Sequence, residues 1–424
     1  MSFSTLGLAP VLCAPLARMG YAEPTPVQSA SIPVVLTGSD LVARAQTGTG
    51  KTAAFGLPMI DRLFVQRRRT RPGRPLALVL VPTRELAGQV QKSLASYGAP
   101  MQLRVTAVFG GVSMSAQIRD LRMGTDIVVA TPGRLLDHMQ RRTVDLSAVE
   151  VLTLDEADRM LDMGFMPALR RILPALPRTR QTLLFSATLP EAVLRLSADF
   201  TRDPKRVDVS QGEAVAPTIT HRIHPVTADR KRALLLHVLT QAPIGQALVF
   251  CKTKRGADRV GAHLAAAGLR AAVIHGNKAQ NARTRSLADF KNGQVSVLVA
   301  TDIAARGLDV AQLPLVVNFD LPMVAEDYIH RVGRTGRAGA SGRAVSLVTS
   351  EDRDLLRDIE RLLPAALERV PVTGFDAGVA THDSGPLARP AGPRQFARPR
   401  HNNQRPRAGR GRGFSSSRPA ARPA

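Results

Sequence analysis

The stretch Ala45-Gln46-Thr47-Gly48-Thr49-Gly50-Lys51-Thr52 fits the pattern G-x-x-x-x-G-K-[ST], with Ala45 in place of the leading glycine. Gly48 and Gly50 let backbone N–H groups turn inward around phosphates, Lys51 can reach the β- and γ-phosphates, and Thr52 can hold Mg²⁺. The preceding Asp40-Leu-Val-Ala-Arg44 reads as a short strand, and Lys51-Thr-Ala-Ala-Phe55 opens a helix whose N-terminus favours an anion. Farther along, Val151-Leu-Thr-Leu-Asp155-Glu156-Ala-Asp158 sets acids at the end of an apolar strand. The first suits a divalent cation and the next suits the orientation of a water. The two motifs, in this order and both at strand ends, predict a nucleoside triphosphatase.

A third element is cationic. In His330-Arg-Val-Gly-Arg334-Thr-Gly-Arg337 the last two arginines are three residues apart with small residues between them, so both can point at one oxyanion. Arginines that meet the charge on a transferred phosphoryl group are worth about 10³–10⁵-fold in rate. They lie almost three hundred residues from Lys51. If they act on the same phosphate, two parts of the chain must close on each other.

These groups need a framework, and the pattern supplies one. From about Asp40 to Val207, short apolar runs alternate with amphipathic ones, as in a parallel sheet wrapped in helices. Strands are expected at 76–81, 104–109, 126–130, 151–154 and 182–185. Residues 208–220 lose the periodicity and read as a linker. The alternation restarts over 221–371, with strands expected at 223–226, 247–250, 272–274, 295–300, 315–319 and 344–348. Ile127-Val-Val-Ala-Thr131 leads to Arg134, and Val297-Leu-Val-Ala-Thr301 leads to Arg306. Related halves and chance among valine-rich strands both remain open. Ligands gather beyond the carboxyl ends of such strands, so the two Thr/Arg pairs could form one binding track.

After residue 371 the chain becomes rich in Pro, Gly, Ser and Arg and is expected to be disordered. That tail carries ten arginines against Asp376 and Asp383, which leaves about +16 of the formal +24 on the rest. Such a charge favours a polyanionic partner. Cys13 and Cys251 lie far apart and offer no metal-ligand spacing, which fits a reducing, cytoplasmic setting. The start resembles no signal peptide, and no apolar stretch approaches about 18 residues, so no membrane partner is expected.

At this point the ordered motifs over residues 1–370 resemble those of the DEAD-box ATP-dependent RNA helicases. They are Pro24–Gln28, the phosphate loop at 45–52, Pro82–Ala87, Gly110-Gly111, Thr131–Arg134, Asp155–Asp158 and Ser186–Thr188, then Val249–Lys254, Gln280–Arg283, Ala300–Asp309 and His330–Arg337. Ala45-Gln46 is that family's own form of the loop. His275-Gly-Asn-Lys-Ala-Gln280 and the short basic tail look most like the bacterial RhlE-type subgroup. Departures are small: Val27 and Val332 replace a common isoleucine, and Gly88 falls inside an expected helix at a cost of about 0.5–1 kcal/mol relative to alanine.

The resemblance implies an α/β fold of two tandem RecA-like domains, each a mostly parallel sheet flanked by helices, plus the disordered basic tail. Residues 1–30 would recognise adenine, 31–207 would bind ATP, and 221–371 would form the second domain. By position, Gln28 would read the adenine edge, Tyr21 would stack on the ring and Phe3 would pack nearby. Gln46, Thr47, Gly48, Thr49 and Gly50 would cradle the phosphates with Lys51, while Thr52 and Asp155 would hold Mg²⁺, partly through water. Glu156 would position the attacking water, Arg334 and Arg337 would meet the developing charge, and Asp309 would touch the ribose. Asp158, Ser186, Thr188 and His330 would couple hydrolysis to strand separation. Arg84, Gly111, Thr131 and Arg134, with Gly276, Arg283 and Thr301, would bind RNA. The implied activity is ATP-dependent local unwinding by a monomer, in ribosome assembly or RNA decay. An ATP-gated RNA clamp or annealing chaperone and a DNA helicase are the alternatives.

Overall fold

Segments such as Ala77-Leu-Val-Leu80 and Ile127-Val-Val-Ala130 are apolar at every position, the composition of a strand covered on both faces. The computed structural model places them inside a parallel sheet, and it describes residues 2–46, 48–66, 71–209, 219–241, 245–305, 310, 312–336, 341–363 and 367–378. The first domain holds β1 (Leu41–Arg44), β2 (Ala77–Leu80), β3 (Val105–Val108), β4 (Ile127–Ala130), β5 (Val151–Asp155), β6 (Gln181–Ser186) and β7 (Lys205–Asp208). The second holds β8 (Ile219–Pro225), β9 (Ala247–Cys251), β10 (Ala271–Ile274), β11 (Val297–Thr301), β12 (Leu315–Asn318), β13 (Gly342–Val348) and β14 (Glu368–Arg369).

The spatial orders are β3-β4-β2-β5-β6-β1-β7 and β10-β11-β9-β12-β13-β8-β14. Adding seven to each label of the first order gives the second, and the recorded pairings are parallel. The likeness between Ile127–Thr131 and Val297–Thr301 therefore reflects equivalent strands, β4 and β11. Alternate residues of each strand feed opposite cores. Leu41 and Ala43 pack on one side of the first sheet while Val42 packs on the other, and Ala77 and Val79 are likewise opposed to Leu78 and Leu80.

Two strands were not legible. Lys205-Arg-Val-Asp208 and Glu368-Arg369 are short, charged strands at sheet edges, where one side needs no apolar partner. β7 and β8 also narrow the linker: Val209 still bonds to Arg44, and Ile219 already pairs with Gly342. Residues 210–218 lie outside the described residues.

The expected start of the disordered tail at 372 is corrected as well. Val372, Phe375 and Ala377 pack against the core of the second domain, and the Phe375 ring lies 5.3 Å from that of His237. Thr227 N–H donates to the Ala377 carbonyl at 3.1 Å, and Arg230 pairs with Asp376 at 3.0 Å. Composition missed this strap because only three of its residues are apolar. The basic tail itself, from 379 onward, lies outside the described residues. Truncation after residue 378 is expected to leave thermal stability unchanged. Truncation after 371, or Phe375→Ala, should destabilise the second domain by about 1–2 kcal/mol for a half-buried ring; equal melting of all three proteins would contradict the packing.

Candidate functional site

Every strand of a parallel sheet delivers its carboxyl end to the same face, so neighbouring strands bring their following turns together. In the first sheet, β5, β6 and β1 are neighbours. Their turns carry Asp155–Asp158, Ser186–Thr188 and the loop to Lys51.

Lys51 begins the helix Lys51–Gln66 and is 6% exposed, yet its Nζ makes no hydrogen bond. Asp155 Oδ1 and Glu156 Oε2 are also buried without a hydrogen-bond partner. Burial pushes the Asp155 carboxyl up to about 6, against the pull of Lys51 and with the push of Glu156. An unsatisfied ammonium beside unsatisfied carboxylates fits a phosphate with a divalent cation between them. Glu156 stands in the left-handed region at φ 56°, ψ 53°, a conformation that costs a non-glycine residue about 1–3 kcal/mol and turns the chain sharply from strand to helix.

The loop is braced from behind. Gln28 accepts from Thr25 N–H at 2.9 Å and donates to the Gly50 carbonyl at 3.1 Å. Gly50 has φ +91°, and a Cβ there would run into the Gln28 amide, so both geometry and space demand glycine. Thr49 closes the turn by donating to Gln46 O at 2.8 Å, and Gly48 also has positive φ. Thr52 is half-buried on the first turn of the helix. Phe3 is buried and meets Tyr21 edge-on at 6.1 Å, while the Tyr21 hydroxyl bonds to that of Tyr97. Phe3 therefore supports Tyr21 from within the core. Tyr97 was missed, since nothing in its spacing distinguishes it from a core residue. Thr47 lies outside the described residues.

Asp158 ties β5 to the turn after β6. Its Oδ2 accepts from Ala187 N–H, Thr188 N–H and the Thr188 hydroxyl at 3.2, 2.9 and 3.0 Å, while Ser186 Oγ accepts from Asp158 N–H at 3.2 Å. Burial opposes its charge, but Lys51, His330 and the Thr188 bonds hold its carboxyl below the usual range. His330 belongs to the second domain, so this attraction runs between the domains.

Arg159 is a further residue that sequence reading missed. It is 2% exposed, its Nε lies 3.6 Å from Glu156 Oε2, and neither Nη1 nor Nη2 has a hydrogen-bond partner. It lines a cavity of about 10 Å³, room for one water, together with Asp327, His330 and Arg334 of the second domain. Arg334 is 6% exposed. Arg331, just before it, is held by Asp302 at 2.6 and 2.7 Å, by Asn318 at 3.0 Å and over the Phe250 ring. Arg337 and Asp309 lie outside the described residues.

The other half of each sheet gathers the residues expected to form a track. In the first, β3, β4 and β2 are neighbours and deliver Gly111, Thr131 with Arg134, and Arg84. Gly111 has φ +80°, and a Cβ on it would overlap Arg84 Nη1, so the guanidinium lies against that turn. Arg134 Nη1 donates to Val112 O at 3.2 Å and Gln117 Oε1 at 3.1 Å. In the second, β10, β11 and β9 deliver Gly276, Thr301 and Lys254. Lys254 was missed, although the equivalence was readable: Thr83-Arg84 and Thr253-Lys254 follow matching strands, and both threonines cap their helices. Arg283 requires correction. It is buried and pairs with Glu85 of the first domain at 3.0 Å, where Gln280 also donates at 2.7 Å. It joins the domains.

The second domain also repeats the position of Lys51. Lys231 begins the helix after β8, as Lys51 begins the helix after β1. Its ammonium, however, is met by Asp320 at 3.4 Å and Asp352 at 3.6 Å. Carboxylates of the chain stand where a phosphate would be needed, so of these two lysines Lys51 alone is open.

The comparisons with known proteins agree with this geometry. Residues 25–196 match the family described as DEAD/DEAH box helicase, and residues 230–339 match the helicase conserved C-terminal domain. The chain is 43% identical over 406 residues to DEAD-box ATP-dependent RNA helicase 30 of Arabidopsis thaliana, covering 95% of this chain and 67% of that one. It is 41% identical over 375 residues to DEAD-box ATP-dependent RNA helicase CshA of Bacillus cereus, covering 88% and 70%. The chain spans about two thirds of the length of the curated relatives it matches. The solved structure of S. cerevisiae Dbp5 bound to RNA and ADP BeF3 superposes with a TM-score of 0.78 at 30% identity, over 87% of this chain and 95% of that one. With both domains matched and the motif turns gathered on one face of each sheet, the chain belongs to the DEAD-box ATP-dependent RNA helicase family.

Proposed function

We propose that the chain is an RNA-stimulated ATPase that clamps one RNA strand between its two domains and locally separates short duplexes. The observation that carries this reading is the asymmetry of the half-sites, with Lys51 open and Lys231 neutralised. ATP then has a single seat, at the edge of the cleft between the domains. Gln28 retains one N–H and one lone pair for the adenine edge after bracing Gly50. Thr52 and Asp155 would hold Mg²⁺, partly through water, and the ion would draw charge from the phosphates. Glu156, fixed by its left-handed backbone, orients the attacking water. Arg334 and Arg337 meet the charge that builds on the transferred phosphoryl.

Arg84, Gly111, Thr131 and Arg134 of the first domain and Gly276, Lys254 and Thr301 of the second would contact the strand. Contacts to phosphate and backbone position a strand without reading its sequence. The relative of known structure holds RNA together with ADP BeF3, which supports a joint ligand. Melting a few base pairs, at about 1.4 kcal/mol per step, lies within what binding can supply. The phrase His275–Gln280 supports an RhlE-type enzyme, for which ribosome assembly or RNA decay would be the setting. The free Cys13 and Cys251 support the cytoplasm, and we take the enzyme to act as a monomer.

Unwinding of short duplexes with RNA or DNA loading strands tests the substrate class, and activity on DNA alone would overturn it. Chains ending at 378 should still unwind with weaker affinity; loss of unwinding there would favour a clamp or chaperone whose work lies in the tail. Lys51→Ala should abolish ATP turnover in the same assay. Glu156→Gln should bind ATP and RNA but release RNA many times more slowly than the parent, whereas fast release with ATP present would argue against its role.

A pH prediction follows from Asp155. Burial raises its carboxyl to about 6, so the ionised form costs stability above that pH. The cost fades as the pH falls toward the ordinary carboxylate value of about 4. In chelator-treated, nucleotide-free protein, Asp155→Asn should therefore raise the melting temperature at pH 7.5, with the gain shrinking toward pH 5. A loss of stability at both pH values would contradict the assignment.

A further inference from the structure

Gly88 has no role in the site described above, yet it lies within the helix Arg84–Gly98. A Cβ added there would meet nothing within 4 Å, so close packing is not what keeps the position small. The space beside it belongs to a groove of about 620 Å³ that follows the edge strand β3. One wall is this helix, with Gly88 and Gln91, and the other is the helix Met114–Arg122, with Ala116.

The floor is the free edge of β3. The carbonyls of Arg104 and Val108 turn toward β4, where they accept from Ile127 N–H and Thr131 N–H at 3.1 and 3.0 Å. Those of Val105 and Phe109 turn the other way and accept from the side chains of Gln91 at 3.1 Å and Gln117 at 2.9 Å. By the same alternation Ala107 presents both its N–H and its C=O to the groove, between the two glutamines. A strand of another protein could not pair along an edge whose two ends are already capped in this way. A planar ring that needs one donor and one acceptor could.

We propose that this groove is a subsite for one unstacked nucleobase of the bound RNA. The inference rests on the RNA-track reading above. The groove runs from Ala107 to Phe109, Val112 and Ser113, and so reaches the turn where Gly111, Arg84 and Arg134 would hold phosphates. A nucleotide whose phosphate lies on that turn has its base within reach of the groove. Phe109 offers an apolar wall, and the Ala107 amide groups offer hydrogen bonds to the base edge. Unstacked bases bound in this manner are a common device of RNA recognition. Volume also agrees, since small-molecule sites run from about 300 to 1,000 Å³.

The test uses the full chain with a non-hydrolysable ATP analogue and fluorescence anisotropy. The probes are a set of RNA strands in which each base in turn is removed and the sugar–phosphate chain is kept. One position should weaken binding by about fivefold or more, the range for loss of a single base contact. Gly88→Met fills the groove from one wall and Ala116→Met from the other. Each should weaken the intact strand to a similar degree and no longer respond to removal of that base. A flat scan, or Met variants that bind intact and base-free strands as the parent does, would overturn the subsite. Arg84→Ala separates this from the underlying reading: if it weakens every strand, the RNA track stands even when the subsite fails. If Arg84→Ala has no effect, the track itself is misplaced.

Discussion

Parallel pairing is the constraint on which the rest depends. When neighbouring strands run the same way, every turn from strand to helix opens on one face, and the sheet order decides which turns meet. The order β5-β6-β1 assembles acids, hydroxyls and the phosphate loop, although the loop lies more than a hundred residues before the other two in the chain. The order β3-β4-β2 assembles a second set of turns beside the first, with Arg84 against Gly111 and Arg134 against Val112. One sheet thus presents two groups of turns, which the proposed function assigns to nucleotide and to strand, without any long connecting element. The bonds from Asp158 to Thr188 knit adjacent turns and fix their spacing.

The second sheet repeats the order, and the comparison isolates what makes a site. Both domains begin a helix with a buried lysine after the corresponding strand. In one, the ammonium is left without a hydrogen bond; in the other, Asp320 and Asp352 neutralise it. A buried charge without a partner is costly, so a fold retains it where a ligand supplies the partner. The raised Asp155 and the left-handed Glu156 are of the same kind. At the end of the first sheet a strained backbone and polar atoms without hydrogen bonds stand together, while the lysine at the equivalent position of the second is satisfied by carboxylates.

Much of this was legible in the sequence because the informative residues are locally constrained. Central strands buried on both faces can only be apolar, so their runs stood out, and the glycines of the phosphate loop and the acids after β5 followed strands at recognisable positions. Edge strands β7 and β14 were not legible, since a one-sided strand tolerates Lys, Arg and Glu. The strap at 372–378 was hidden for a related reason: its few apolar residues act through contacts with a distant core. Arg283 was misread because its motif shows a cation but not which carboxylate meets it. Arg159 and Tyr97 carry no signal in spacing at all; their importance comes from what folds around them.

The ionic contacts between the domains fit the proposed cycle of closing and opening. The Glu85–Arg283 pair and the Asp158–His330 attraction are ionic. Two nearly buried ions repay only part of their desolvation when they meet, so such a pair gives little net affinity while strongly favouring one alignment. An apolar interface of similar extent would hold the domains shut. Here the alignment is specified, but the closing energy must come largely from what lies between the domains. In the proposed function, nucleotide at Lys51 and a strand across Arg84 and Lys254 would supply it. On that reading, loss of a phosphate would remove a large share of the attraction, and the ionic contacts by themselves would be too weak to keep the strand.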